Sequence, residues 1–262
     1  MIWGRSDRIQ AGGATLEIAT FGPPPGEAPT LVMLHEGLGC VALWRDWPER
    51  LAALTGCGVL VYSRAGYGQS DPDPLPWPVD YLSRHALSVL PEVLAPLREI
   101  ILLGHSDGGT IAAVYASSVS DARLKGAVLI APHFFAEADG LAAIKAARVA
   151  YEDGDLRRRL APYHADVDCA FGGWSGCWLH PEFRTWSVKD VLPTVSVPVL
   201  TIQGDADPYG TLAQVDAVTQ ACPMAEPALV LPGVRHAPHQ EAREAVEARL
   251  LAFVQKVLKH PL

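Results

Sequence analysis

The apolar run Ile101-Leu102-Leu103 ends at Gly104, a helix-like run begins near Asp107, and between them lies a single serine in the frame Gly104-His105-Ser106-Asp107-Gly108. A strand that turns into a helix over so few residues holds its serine in strained backbone geometry. Small residues two positions to either side are then needed to avoid collision with neighbouring elements. Gly104 and Gly108 meet that need. The plainer reading of the same five residues is a glycine-rich strand–helix turn with an ordinary serine, and the rest of the chain decides between the two.

Taken in order, Ala14 to Phe21 alternates apolar and polar residues as a strand does, and Gly22-Pro23-Pro24-Pro25-Gly26 breaks it. Thr30 to Leu34 is a buried strand that runs into His35-Glu36-Gly37-Leu38-Gly39-Cys40. Leu43, Trp44, Trp47, Leu51 and Leu54 recur at helical spacing, which predicts one helix over 42–54 with Gly56 as its stop. Gly58 to Tyr62 is the next strand, and it leads into the glycine-punctuated loop 63–71. Helical periodicity over 79–97 precedes the strand 99–103 and its serine turn. Leu124 to Ala131 is a further buried strand. Later come a strand at 197–203, a helix at 211–222, a strand at 228–231 and a closing amphipathic helix at 241–258. Repeated alternation of continuous apolar strands with helices implies a mainly parallel sheet covered on both faces.

The alternation stops for about sixty residues between 132 and 192, where large aromatics collect. Because the chain leaves and re-enters the sheet at adjacent strands, this stretch reads as a cap. The predicted organisation is therefore a core of residues 1–132 and 193–262 with a helical insertion over 133–192. A chain of 262 residues can bury the core this requires.

A net charge of −8 without a lysine- or arginine-rich run argues against nucleic acid or an anionic membrane as partner. The first residues lack a basic segment followed by an apolar one, and no stretch approaches the length of a membrane span, so the expected location is cytoplasmic. Five scattered cysteines without a Cys-x-x-Cys pair read as reduced, mostly buried thiols.

A serine hydroxyl is a poor nucleophile until a base removes its proton, and the usual base is a histidine oriented by a carboxylate. The loops after the last two strands carry Gly204-Asp205-Ala206-Asp207-Pro208 and Gly233-Val234-Arg235-His236-Ala237-Pro238-His239. Loops beyond the carboxyl ends of parallel strands converge on one edge of the sheet, the edge that also presents Ser106.

With these residues in hand, the chain resembles the α/β-hydrolase superfamily in its capped, esterase-like branch, over nearly its whole length. The resemblance implies an α/β-hydrolase fold, with a mainly parallel central sheet flanked by helices and a helical cap inserted after the sixth strand. It also implies the order nucleophile, acid, histidine, with the acid in a Gly-x-x-Asp pattern. Carried over, this selects Ser106, Asp207 and His236, with Asp205 as the competing acid and His239 as a supporting residue. The implied oxyanion donors are the backbone N–H groups of Asp107 and Gly37, with Leu38 as the alternative to Gly37 and part of the substrate pocket. Glu36 departs from the family pattern, which has glycine there, so its carboxylate is expected to face away or to pair with a cation, Arg64 or Arg45. The Asp107 side chain is expected to cap its helix, and His105 to pack behind the turn.

Phe135, Trp174 and Trp178 are the cap aromatics expected to line the pocket, and Tyr209 is expected to support the acid loop. His236 and His239 lack a third ligand motif, so no metal is expected, and the chemistry requires no cofactor. The expected function is hydrolysis of a small or medium carboxylic ester, lactone or thioester through an acyl-enzyme. Carbon–carbon bond cleavage and perhydrolysis would use the same three residues, and a ligand receptor on this fold would not require all three.

Overall fold

The computed structural model describes residues 1–259. Its elements in chain order are β1 (Ser6–Ala11), β2 (Ala14–Phe21), β3 (Thr30–Leu34), α1 (Trp47–Thr55), β4 (Gly58–Tyr62), α2 (Tyr81–Arg84), α3 (Leu90–Leu94), β5 (Ile100–His105), α4 (Asp107–Ser118) and β6 (Leu124–Ile130). They continue as α5 (Ala138–Glu152), α6 (Leu156–Leu160), α7 (Val167–Trp178), β7 (Val199–Gly204), α8 (Ala213–Ala221), β8 (Leu229–Leu231), α9 (Pro238–Glu241) and α10 (Arg243–Lys259). The eight strands form one sheet in the order β1-β2-β4-β3-β5-β6-β7-β8. The hairpin β1–β2 is antiparallel, β2 joins β4 antiparallel, and every pairing from β4 onward is parallel.

Side chains alternate between the two faces of the sheet, as the two-residue period of a strand requires. Val32, Leu34, Leu60, Ile100, Leu102 and Leu129 face one cluster, where α3 and α4 pack. Leu31, Met33, Val59, Ile101, Leu103 and Val128 face the other, filled by Trp47 and Leu51 of α1 and by Leu250, Phe253 and Val254 of α10. Strands buried on both faces explain the continuous apolar runs in the sequence. A third cluster lies apart from the sheet: Ile144, Phe171, Trp174, Trp178 and Phe183 pack with Tyr67 and Trp77. No helix among the described residues is long and apolar enough to cross a membrane, and all five cysteines are free and buried.

Three local readings change. β1 is an additional strand, half of whose residues are exposed, alternating with covered ones in a polar sequence that carried no apolar signal. The single helix over 42–54 is instead a 3-10 turn at Val41–Trp44 followed by α1, because Arg45 takes a positive φ of 56° and ends the first turn. The helix over 79–97 is shorter and passes through a π turn at His85–Val89 between α2 and α3. Pro91 explains the irregularity, since it has no N–H to offer the preceding turn.

Register places the site. Leu34 pairs with Gly104, so the loops after β3 and β5 leave the sheet side by side. Gly104 pairs with Leu129, and Ser106 N–H donates to the Ile130 carbonyl at 2.8 Å. The loops after β7 and β8 emerge farther along the same edge.

Candidate active site

Ser106 sits between β5 and α4 with φ 54° and ψ −116°, outside the ordinary allowed regions for a side-chain-bearing residue, and it is only 6 % exposed. The turn closes because Gly104 lies directly against the Gly108 backbone and Gly108 against the Leu34 carbonyl. A Cβ at either position would overlap those atoms. Ser106 thereby heads a twelve-residue helix, and its carbonyl accepts from the amides of Gly109 (2.8 Å) and Thr110 (3.1 Å).

His236 meets His105, the residue before Ser106, through its carbonyl, and its Nδ1 lies 2.7 Å from Asp207 Oδ2. The Asp207 side chain is fully buried, and it also accepts from Gln203 Nε2 at 2.8 Å and from the Tyr209 amide at 2.8 Å. Burial pushes the Asp207 carboxyl up, but His236 and the Tyr209 amide together hold it below its ordinary value. Asp205 is exposed and bonds the Gly233 amide at 2.6 Å, so Asp207 is the acid that meets His236. Tyr209 covers the same histidine, with its ring 4.7 Å from that of His236.

The neighbours of Ser106 depart from their expected roles. The Asp107 side chain accepts from no backbone amide of its helix: one oxygen takes the Tyr81 hydroxyl and the other has no hydrogen-bond partner. Its carboxylate is buried, accepts from Tyr81 Oη at 2.5 Å and lies 3.7 Å from Arg64 Nη2. Burial raises its pKa, and Arg64 and Tyr81 limit the rise. His105 does more than pack. Its Nε2 lies 2.7 Å from the His236 carbonyl, and its Nδ1 is 3.4 Å from Glu36 Oε2. Burial lowers the His105 pKa, but Glu36 outweighs it and the net direction is upward. The same contact holds the Glu36 carboxyl well below the carboxylate range against its own burial.

Glu36 therefore pairs with His105, and the expected partners Arg64 and Arg45 do not meet its carboxylate. Arg64 instead donates to the carbonyls of His35 (2.5 Å) and Glu36 (3.0 Å).

Gly37 is buried beneath the indole of Trp174, whose Nε1 occupies the space a Cβ would need. Leu38 is partly buried, and its carbonyl lies 3.2 Å from His164 Nε2. Trp178 donates from Nε1 to Tyr81 Oη at 3.0 Å and presents an edge to His133 at 5.3 Å. Phe135 lies elsewhere: its ring is under Lys189 Nζ at 4.9 Å and lines a surface groove with Leu192 and Ala213. Phe134 and Phe135 follow each other in the chain, and the one that turned inward went to the sheet core.

Sequence reasoning passed over His133, whose buried ring is 5.7 Å from that of His236. Burial, aided by His236, drops its pKa to about 3, so it is neutral at ordinary pH. Tyr81 was also missed. It carries no motif of its own, and only the position of its helix against α4 reveals it. His239 stacks on Trp47 at 4.9 Å, a packing role.

A model of the alpha/beta hydrolase family matches residues 31–249. No curated protein sequence matches the chain. Among solved structures, a thermophilic esterase from Thermogutta terrifontis is 18% identical with a TM-score of 0.74, covering 97% of this chain and 99% of its own. The enol-lactonase from Burkholderia xenovorans LB400 is 21% identical with a TM-score of 0.73, covering 95% and 100%. An esterase from Exiguobacterium antarcticum is 19% identical with a TM-score of 0.76, covering 95% and 98%. At these identities the likeness is one of fold.

Proposed function

The chain belongs to the alpha/beta hydrolase family, and from that premise we propose that it is a serine hydrolase of small or medium carboxylic esters or lactones, with Ser106, His236 and Asp207 as its triad. The observation that carries the reading is the 2.7 Å contact between His236 Nδ1 and the buried Asp207 carboxylate. A carboxylate there keeps the proton on Nδ1, which leaves Nε2 unprotonated as the base.

Ser106 Oγ attacks the ester carbonyl carbon while His236 Nε2 takes the hydroxyl proton, and the carbonyl π electrons move to oxygen. The amides of Gly37 and Asp107 receive that charge, the latter at the N-terminal end of α4. Collapse expels the alcohol, which carries away the proton from Nε2. Water then attacks the acyl-enzyme with His236 again as base, releasing the acid and restoring Ser106. Residues 133–192 act as a cap. Trp174 over Gly37 and Trp178 beside His133 support this reading, because both approach the reacting edge from the insertion. Enzymes named as an esterase and an enol-lactonase share the fold, which favours small acyl substrates.

The test is turnover of p-nitrophenyl esters of graded acyl length together with labelling by a fluorophosphonate. Wild-type protein should hydrolyse the shorter esters and label at Ser106, and Ser106→Ala should lose activity by at least about 1,000-fold. Unchanged turnover in Ser106→Ala would refute the proposal, and failure of the folded protein to label would favour a binding role.

A further inference from the structure

Arg64, in the loop after β4, is 4 % exposed, and its guanidinium contacts the carbonyl that precedes the Gly37 amide and the side chain of Asp107. Its Nη1 donates to the His35 carbonyl at 2.5 Å and its Nη2 to the Glu36 carbonyl at 3.0 Å, while Nη2 also lies 3.7 Å from Asp107 Oδ2. The Arg64 backbone N–H donates to His35 Nε2 at 3.0 Å, which leaves the His35 proton on Nδ1 to donate to the Glu36 carbonyl at 2.7 Å. The Glu36 carbonyl thus has three donors, the third being the Gly39 N–H at 3.1 Å. In a planar trans peptide the carbonyl of one residue and the N–H of the next point in opposite directions. With the Glu36 carbonyl held toward Arg64, the Gly37 N–H is turned to the other side of the loop.

Asp107 poses a separate problem at the same place. Its amide is the second proposed donor, yet the same residue carries a buried carboxylate that would oppose negative charge forming nearby. Arg64 and the Tyr81 hydroxyl are the groups set against that carboxylate.

We propose that Arg64 is a positioning residue of the oxyanion site, which orients the Gly37 amide through the Glu36 carbonyl and offsets the Asp107 carboxylate beside the second donor. This rests on the serine-hydrolase reading above. The flat guanidinium fork is what reaches two carbonyls and a carboxylate together, and a lysine ammonium would retain the charge without that geometry.

The experiment compares wild type with Arg64→Lys, Arg64→Met and Arg64→Met/Asp107→Asn, each checked for folding by circular dichroism and melting temperature. It measures kcat and KM on a p-nitrophenyl ester, inhibition by a trifluoromethyl ketone that forms a tetrahedral anionic adduct on Ser106, and inhibition by the matching unactivated ketone. Arg64→Lys should lower kcat by about 100-fold with KM within about threefold, and should weaken the trifluoromethyl ketone by a similar factor while sparing the unactivated ketone. Arg64→Met should be lower still, and adding Asp107→Asn should recover about tenfold by removing the unpaired charge.

The inference is overturned if folded Arg64→Lys keeps kcat and trifluoromethyl ketone affinity within about twofold of wild type, or if both ketones weaken equally. Should Arg64→Met fail to fold, Arg64→Lys alone decides by the same two criteria. A wild-type protein that neither turns over esters nor labels at Ser106 overturns the hydrolase reading and this inference with it. Active wild type with unaffected Arg64 variants overturns only the inference.

Discussion

The loops after β3 and β8 flank the Ser106 strand from opposite sides and are built on opposite plans. The β3 loop is buried and gripped through its backbone: the Arg64 guanidinium takes the carbonyls of His35 and Glu36, and Trp174 lies on Gly37. The β8 loop is largely open to solvent from Pro232 to Arg235. It is tied by contacts at the His236 carbonyl, from His105, and at the amides of Arg235 and Ala237, from the Glu241 carboxylate. The difference matches the tasks proposed for them. Amides that receive developing charge are useful only if they do not reorganise, whereas a base must gain and lose a proton and admit water. The two loops meet through one chain of contacts, from Glu36 Oε2 to His105 Nδ1 and from His105 Nε2 to the His236 carbonyl.

Three substitutions break this comparison at different points. On the base side, Asp207→Asn should cost about 10,000-fold in kcat with KM little changed, because an amide no longer selects the Nδ1 proton of His236; steady-state kinetics measure it, and retained kcat would remove Asp207 from the mechanism. On the rigid side, Gly37→Ala puts a methyl into the Trp174 indole. It should lower kcat/KM by about 100-fold and alter tryptophan fluorescence as the indole is displaced.

At the bridge, Glu36→Gln should reduce activity only a few-fold at neutral pH and act mainly on pH dependence. The folded pKa of His105 is raised above its ordinary value, so the stabilisation it contributes is complete below about 6.5 and is lost as pH rises through the raised value. Without the Glu36 charge that loss moves to lower pH. Melting temperature followed from pH 6 to 10 should show the wild-type alkaline decline shifted downward in the variant, and superimposable curves would show that the bridge carries no charge.

Much of the architecture was legible in short windows. The runs at 30–34, 58–62 and 124–131 became central strands, since a stretch that is apolar on both sides has few stable places other than a covered sheet. β1 was not legible, because a half-exposed edge hairpin needs little apolar sequence. Among the proposed site residues, Ser106 was marked by its turn and the loops of Asp207 and His236 by their place after the last strands, and the family resemblance chose those two residues within them. Their supporting cast was not: Tyr81 and His133 look in sequence like ordinary helix and loop residues. Phe135 was misplaced for a related reason, as aromatic content marks burial without saying which of two adjacent rings turns toward which cavity.

The sequence by itself determined the strained turn at Ser106 and the parallel sheet that holds it, because both follow from sterics and apolar periodicity acting over a few residues. The tertiary structure alone decided how the charges around that turn pair. Glu36 went to His105 and not to an arginine, Asp107 to Tyr81 and Arg64 and not to its own helix end, and Arg64 to the carbonyls of the β3 loop. These partners stand tens of residues apart in the chain. Their choice follows from which side chains the folded sheet edge buries together, where an ion without a partner is too costly to keep.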